Sequence, residues 1–250
     1  MIKNVIEAKN LSVGYGSKVL LKDADFEVKK GDIFVIMGGS GCGKSTLLKV
    51  LTGLIKPLEG TFDLLGTDFN KADDEQKELL RQKTGILYQS GALFSSMTLA
   101  ENIAMVLNQY SNYNARTIDE IVALKLALVG LSGYEDYYPS EISGGMKKRA
   151  GLARALALDP EIVYFDEPSA GLDPVSSARL DDLMIEINKN LNTTLVVVTH
   201  ELQSIFNIAN NSIYLDAEIK RISASGNPLE LLKNPPNDRV KQFLTRGKEK

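Results

Sequence analysis

The chain has 250 residues, enough to bury a substantial core. Hydrophobic residues make up 44% and charged residues 24%, the balance of an ordinary soluble globular protein. A net charge of −3 excludes a nucleic-acid-binding surface spread over the molecule, and the single cysteine, Cys42, excludes an internal disulfide and suits a reducing compartment.

The N-terminal MIKNVIEAKN lacks the apolar core and cleavage site of a signal peptide, and no apolar run approaches the roughly 18 residues of a membrane span. A membrane role therefore requires other chains to supply the membrane part. Residues 4–30 alternate apolar and polar positions around VGYGS, which predicts antiparallel strands with a glycine turn. IFVIM (33–37) is a short buried strand entering a glycine-rich loop. Leu47, Val50, Leu51 and Leu54 then follow at the spacing of an amphipathic helix. PLEGTFDLLG predicts a turn and a strand, DDEQKELLRQK a charged surface helix, and TGILYQ another strand before the apolar loop SGALFSSMT.

Residues 99–158 read almost wholly helical, with a polar interruption at NQYSNYNAR. EIVYFDE and TLVVVTHE are continuous apolar strands, as expected when both faces of a sheet are covered. Between them Asp173 and Pro174 form an N-cap and first-turn pair for a helix burying Leu180, Leu183, Met184 and Ile187. Thr199 is a candidate cap for ELQSIF. The tail NPPNDRVKQFLTRGKEK gives a turn, a short helix and a charged, frayed end. The fold expected is α/β: a single domain over 4–246 with a parallel α/β core, an antiparallel β flank, an inserted α-helical subdomain at about 90–158 and a tail from about 227 to 250.

GGSGCGKS fits the pattern G-x-x-x-x-G-K-[ST] between a buried strand and an amphipathic helix. Gly38, Gly39, Ser40, Gly41, Cys42 and Gly43 allow backbone N–H groups to wrap phosphates, and the start of the helix at Lys44, Ser45 and Thr46 adds its positive dipole end. Lys44 is expected to bridge the β- and γ-phosphates and the Ser45 hydroxyl to bind Mg²⁺. Cys42 is a small filler whose backbone, not its thiol, is used. Asp166 ends an apolar strand as a second Mg²⁺ residue, and Glu167 beside it is the group to polarise the attacking water. His200, the only histidine, ends the strand TLVVVTH, where parallel strands bring their C-terminal ends together and α/β sheets bind ligands.

SEISGGMKKRAGLARAL (140–156) puts two glycines at a helix start, where each costs roughly 1 kcal/mol relative to alanine once helical. With GGSGCGKS, YQSGALF, ISGGMKKR, YFDEPSAGLD and VVTHE in this order, the chain resembles the ATP-binding-cassette (ABC) ATPases over roughly residues 4–226. The resemblance implies a P-loop NTPase nucleotide-binding domain that hydrolyses ATP with Mg²⁺ as a homodimer around two nucleotides. Ser143, Gly144 and Gly145 would present a hydroxyl and bare N–H groups to the partner's γ-phosphate. By the same resemblance Tyr15 would stack on adenine, Gln89 would report γ-phosphate and Mg²⁺ to the helical subdomain, and Asp173 would belong to the loop that crosses the dimer interface.

Met146 departs from the family pattern, which has glutamine there. SGGM with following basic residues, together with QSGALFSSMTLAENIA, is similar to the subgroup powering Mla- and Mce-type lipid transport across the bacterial envelope. That likeness implies a peripheral ATPase on the cytoplasmic side of the inner membrane. Its partners would be an integral membrane permease and an MCE-domain substrate-binding protein, with a small regulatory subunit left open. The KKR run is either part of this machinery or, at Lys147, a plain solvated helix face. Two alternatives stand beside this reading: an importer ATPase for another small solute, and a soluble ABC ATPase such as that of an iron–sulfur scaffold.

Overall fold

The computed structural model describes residues 3–247. The chain begins with two long strands, β1 (Asn4–Tyr15) and β2 (Lys18–Lys29), joined by the predicted glycine turn, in which Gly16 has φ +55°. Their alternation is interrupted. Leu11, Ser12, Val13 and Gly14 are buried in succession, and the register shifts between Ala8 and Leu11 and again up to Gly14. The bulge at Asn10 (φ 50°) turns successive side chains to the same side.

Strand β3 (Ile33–Gly38), buried at every position, runs into the glycine-rich loop and helix α1 (Lys44–Leu51). This helix is shorter than its apolar spacing predicts. Thr52 caps it, Gly53 turns at φ +71°, and Leu54 is left 56% exposed outside the apolar stripe. Strands β4 (Glu59–Leu64) and β5 (Thr67–Asp68) complete an antiparallel sheet of order β2-β1-β4-β5. Helix α2 (Asp74–Gln82) follows, with a reciprocal cap in which Asp73 accepts from Gln76 N and Gln76 from Asp73 N.

After β6 (Thr84–Leu87) the chain leaves the sheet for α3 (Leu99–Tyr110), α4 (Ala115–Leu128), a 3₁₀ turn (Pro139–Glu141) and α5 (Gly144–Ala155). This insertion is less helical than expected. Asn108, Gln109 and Tyr110 remain in α3, so the polar interruption shrinks to 111–114, whereas the loop between α4 and α5 is longer than predicted. There Leu99 N and Ala100 N bond to Tyr137 O and Glu135 O, so the chain serves the start of α3 instead of continuing a helix.

Strand β7 (Ile162–Asp166), α6 (Pro174–Leu191), β8 (Thr194–Val198), α7 (Leu202–Ile208), β9 (Asn211–Asp216) and β10 (Arg221–Ser225) complete a second sheet of order β10-β9-β3-β8-β7-β6. Five of its strands are parallel, and β10 pairs antiparallel at the edge. Asp173 caps α6 through Val175 N and Ser176 N, as expected. Thr199 is one step removed from its expected role. Glu201 is the N-cap of α7, and Thr199 Oγ1 accepts from Glu201 N instead.

Two apolar clusters sandwich the parallel sheet. One joins its face to α6, α7 and the inserted helices; the other fills the space between the opposite face, α1 and the antiparallel sheet. The tail is more ordered than predicted, forming α8 (Pro228–Lys233) and α9 (Asp238–Thr245) with Val240 and Leu244 buried. The expected frayed end at 248–250 lies outside the described residues.

Candidate functional site

Parallel register assembles the site. Because β3, β8, β7 and β6 point the same way, the segments after their C-terminal ends meet on one edge. There a cleft of about 630 Å³ is lined by Gly39, Ser40, Gly41, Lys44, Ser45, Gln89, Glu167 and His200, eight of the predicted residues, drawn from four separate loops.

The loop after β3 is shaped for close approach. Gly38 has φ +154°, and a Cβ there would lie 2.6 Å from Leu215 O and 2.7 Å from Cys42 Sγ. Gly43 has φ +102° and stands at the N-cap of α1 without any side-chain cap, so the first N–H groups of that helix have no capping side chain among the described residues. An anion is the complementary partner for such a terminus. Lys44 Nζ donates to Gly38 O and Gly39 O, 3.0 Å each, and lies 3.9 Å from Glu167 Oε1. Thr46 is buried behind the loop.

Ser45 Oγ donates to Asp166 Oδ1 at 3.1 Å, although the two residues are 121 positions apart. A hydroxyl and a carboxylate at this separation are hard oxygen donors of the kind that suits Mg²⁺. Burial pushes the Asp166 carboxyl above its usual range, the Ser45 hydrogen bond opposing this and the neighbouring Glu167 adding to it. A bound cation favours the charged form, so these residues fit the ion.

Glu167 sits at φ +48°, a left-handed conformation costing of order 1–3 kcal/mol for a residue with a side chain. Its N–H bonds to Val198 O at 2.9 Å, which fixes the turn against β8. Its Oε1 lies 2.9 Å from His200 Nδ1, so a proton on that nitrogen is shared with the carboxylate and Nε2 is left free. Its other oxygen, Oε2, is buried and has no partner among the described residues. An orphaned buried carboxylate oxygen beside a phosphate loop is where a water awaiting activation would bind.

Cys42 is 1% exposed, and burial pushes its thiol up. The side chain is a packed filler under Gly38, which rules against a reactive thiol. Alkylation of Cys42 by a maleimide is expected to be at least about tenfold slower in the folded protein than in denaturant. Fast labelling under native conditions would mean that the loop opens far enough to expose it.

Other predicted residues lie elsewhere. Tyr15 is 50% exposed at the β1–β2 turn, outside the cleft lining but on the hairpin that approaches the loop, where a Cβ on Gly43 would lie 3.2 Å from Leu20 Cβ. Ser143, Gly144, Gly145 and Asp173 do not line the cleft either. Ser143 caps α5 by accepting from Met146 N at 3.3 Å. Within one chain the two glycines have no steric reason to be glycine. A Cβ on Gly144 would meet nothing within 4 Å, and one on Gly145 would make ordinary contact with Ser176 at 3.6 Å.

The sequence reading missed Ala170, Leu202, Gln242, Phe243 and Arg246, which complete the cleft wall. The last three come from the tail. Helix α9 is held there by Arg239, which ion-pairs with Asp216 and Glu218, and by Phe243 against Tyr214 with ring centroids 5.1 Å apart. The signal was present in the spacing of Val240, Phe243 and Leu244, but it says only that a helix packs, not onto what.

Residues 21–170 match the family model described as ABC transporter. The chain belongs to that family. It is accordingly an ATP-hydrolysing cassette, and the cleft described above is where its phosphate loop, acidic strand end and histidine converge. The chain is 39% identical over 98% of its length to the intermembrane phospholipid transport ATP-binding protein MlaF of Haemophilus influenzae, covering 91% of that protein. The Escherichia coli K12 MlaF is 37% identical over 97% of the chain, with 89% of that protein covered. The probable ribonucleotide transport ATP-binding protein mkl of Mycobacterium leprae is 40% identical over 96% of the chain, which spans only 68% of that relative. Among solved structures, a dimeric cassette, MJ0796, in a post-hydrolysis state bound to ADP and Pi superposes with a TM-score of 0.79 at 27% identity, covering 89% of this chain and 98% of that one. CbiO1 of Clostridium perfringens, part of the transporter complex cbiONQ, gives 0.84 at 26% identity, covering 97% and 96%.

Proposed function

We propose that the chain is the ATPase subunit of a phospholipid transport complex, working as a homodimer on the cytoplasmic side of the bacterial inner membrane. The observation that carries the cargo is the 39% identity to MlaF along nearly the whole length of both chains. On this reading ATP is the substrate. Lys44 releases its own loop carbonyls to bind the β- and γ-phosphates, Ser45 and Asp166 hold Mg²⁺, and Glu167 Oε2 accepts the attacking water's proton. His200, oriented by Glu167, presents Nε2 to the γ-phosphate, and Gln89 senses the same phosphate from the turn between β6 and the insertion. Mg²⁺, when bound, supplies neutralisation of charge on the phosphate oxygens. Tyr15 stacks on adenine. Ser143, Gly144 and Gly145 bind the nucleotide of the partner protomer, and Asp173 lies at the interface between them.

The insertion supports docking of a membrane permease. Phe94 is 49% exposed, and the loop 94–98 is organised by buried Asn102, whose Nδ2 donates to Phe94 O, Met97 O and Thr98 O. Beside it, Met97, Ala104 and Met105 line a shallow hollow of about 620 Å³ on α3 together with Ser96, Glu101, Asn108 and Gln109. A preformed hollow that combines apolar and polar side chains in this way suits an amphipathic helix from another chain. None of the helices among the described residues is long and apolar enough to cross a membrane, so translocation itself falls to that partner. An MCE-domain protein would carry the lipid onward.

The name of the mycobacterial relative offers a ribonucleotide as the alternative cargo, favoured less because that relative is matched over only 68% of its length. Purifying the chain with its membrane partners and identifying the bound small molecules by mass spectrometry tests the choice. Phospholipid in stoichiometric amount is expected. Nucleotide cargo without phospholipid would favour the alternative, and a chain that brings down no integral membrane protein would refute transport.

A further inference from the structure

Two of the three cations after Gly144 and Gly145, Lys148 and Arg149, are tied into the fold and do not form a solvated face. Arg149 Nη1 donates to Val129 O at 2.9 Å and Gly130 O at 3.0 Å, closing the end of α4. Lys148 is 5% exposed and points the other way. Its Nζ donates to Pro168 O at 2.5 Å and to Ala170 O at 2.6 Å. Both carbonyls belong to the turn immediately after Glu167, in which Ala170 N in turn bonds to Glu167 O. No carboxylate lies within ion-pair distance of Lys148 among the described residues, and burial pushes its ammonium below the usual lysine range, the charges of Glu201 and Glu167 opposing this only in part. A desolvated cation without a carboxylate in contact is costly, and two charge-assisted hydrogen bonds to carbonyl oxygens offset that cost only while the turn stays in place.

Lys148 lies one helical turn after Gly144 and is therefore on the same face of α5. The front of that helix touches the same segment again, since Gly145 faces Ser176 and Leu172. The helix also holds the loop after Gln89, with Arg154 Nη1 donating to Ala92 O at 2.7 Å and Nη2 to Gly91 O at 3.3 Å.

We infer that Lys148 is a positioning residue that binds helix α5 and the Glu167 turn of one protomer into a single body, so that engagement of the partner's nucleotide by Ser143–Gly145 sets the placement of Glu167 over the protomer's own nucleotide. The two sites of a dimer are thereby coupled through each chain's own lysine. This rests on the composite-site reading proposed above. It goes further in assigning the link between the sites to one ammonium group and two backbone carbonyls.

Four measurements on Lys148→Met and Lys148→Arg test it: kcat, Tm, the Kd of the monomer for a fluorescent ATP analogue, and the ATP concentration for half-maximal dimerisation in the Glu167→Gln background. Methionine keeps the length and apolar stem but donates nothing. It is expected to lower kcat at least about tenfold. The dimerisation midpoint should rise by a similar factor while the monomer Kd changes less than twofold. Arginine, with two N–H groups able to reach the carbonyls, should restore both quantities to within about threefold. A purely structural lysine would instead shift Tm and monomer Kd together with kcat, and that pattern overturns the inference. So does wild-type kcat and midpoint in the methionine variant. Where the methionine variant fails to fold, Lys148→Leu, which likewise donates nothing, carries the same comparison, and wild-type behaviour there overturns the inference equally. Absence of ATP-driven dimers in Glu167→Gln alone would count against the composite site itself, which separates the two failures.

Discussion

Glu167→Gln is expected to leave ATP binding intact and to lower turnover more than about tenfold, a barrier increase above roughly 1.4 kcal/mol, trapping an ATP-bound dimer. The substitution is nearly isosteric and keeps the left-handed backbone at φ +48°, so the turn pays no new strain. An amide oxygen still accepts from His200 Nδ1 in place of Glu167 Oε1, now 2.9 Å away. What disappears is the buried, unpartnered Oε2, whose position is taken by an NH₂ group that cannot accept a proton from water. Removing the negative charge 3.9 Å from Lys44 also favours the triphosphate, so affinity should hold or increase. Single-turnover hydrolysis and size-exclusion chromatography with ATP check this. Retention of more than about a tenth of the wild-type rate would sink the role given to Glu167.

Gly145→Asp separates folding from association. In a lone chain the new Cβ makes only ordinary contacts, 3.6 Å from Ser176. Replacing glycine in a helix recovers up to roughly 1 kcal/mol minus the lower propensity of aspartate, and a carboxylate in the first turn interacts well with the helix dipole. The monomer should therefore melt no lower than wild type. Activity should nevertheless be abolished, because a side chain and a negative charge are forced against the partner's triphosphate. Met146→Gln is the control. Met146 packs partly buried against the main apolar cluster and its sulfur is at best a weak acceptor, so most ATPase activity should survive. Mixed dimers with Gly145→Asp on one chain and Lys44→Ala on the other keep one of the two composite sites. They should still dimerise with ATP, and complete failure to do so, with wild type dimerising, would require another role for the glycines.

Two kinds of observation together point to a partner at Gly144 and Gly145. The sequence shows a cost, two glycines where a helix begins. The structure shows that nothing inside the chain requires it, since neither position is crowded and neither needs a positive φ. Gly38 is the contrast, because there the carbonyl of Leu215 and the thiol of Cys42 forbid a side chain from within the fold.

By itself the sequence determined what short-range physics decides. It specified the buried strands within IFVIM, EIVYFDE and TLVVVTHE, the Asp173–Pro174 helix start and the phosphate loop with its lysine, because periodicity, capping and φ preference act over a few residues. It misjudged the extent of α1 and of the inserted helices, where Thr52 with Gly53 and the backbone bonds from Leu99 and Ala100 to the 135–137 segment overrode the apolar pattern. Only the tertiary structure decided that Lys148 is buried on Pro168 O and Ala170 O, that Ser45 meets Asp166, and that α9 walls the cleft with Phe243 and Arg246. The physical reason is the same in each case. A cation, a hydroxyl or an apolar helix face announces in the sequence that it needs a partner, but the partner is supplied by parallel-strand register and helix packing across more than a hundred residues or, for Lys148, by the turn after a neighbouring strand.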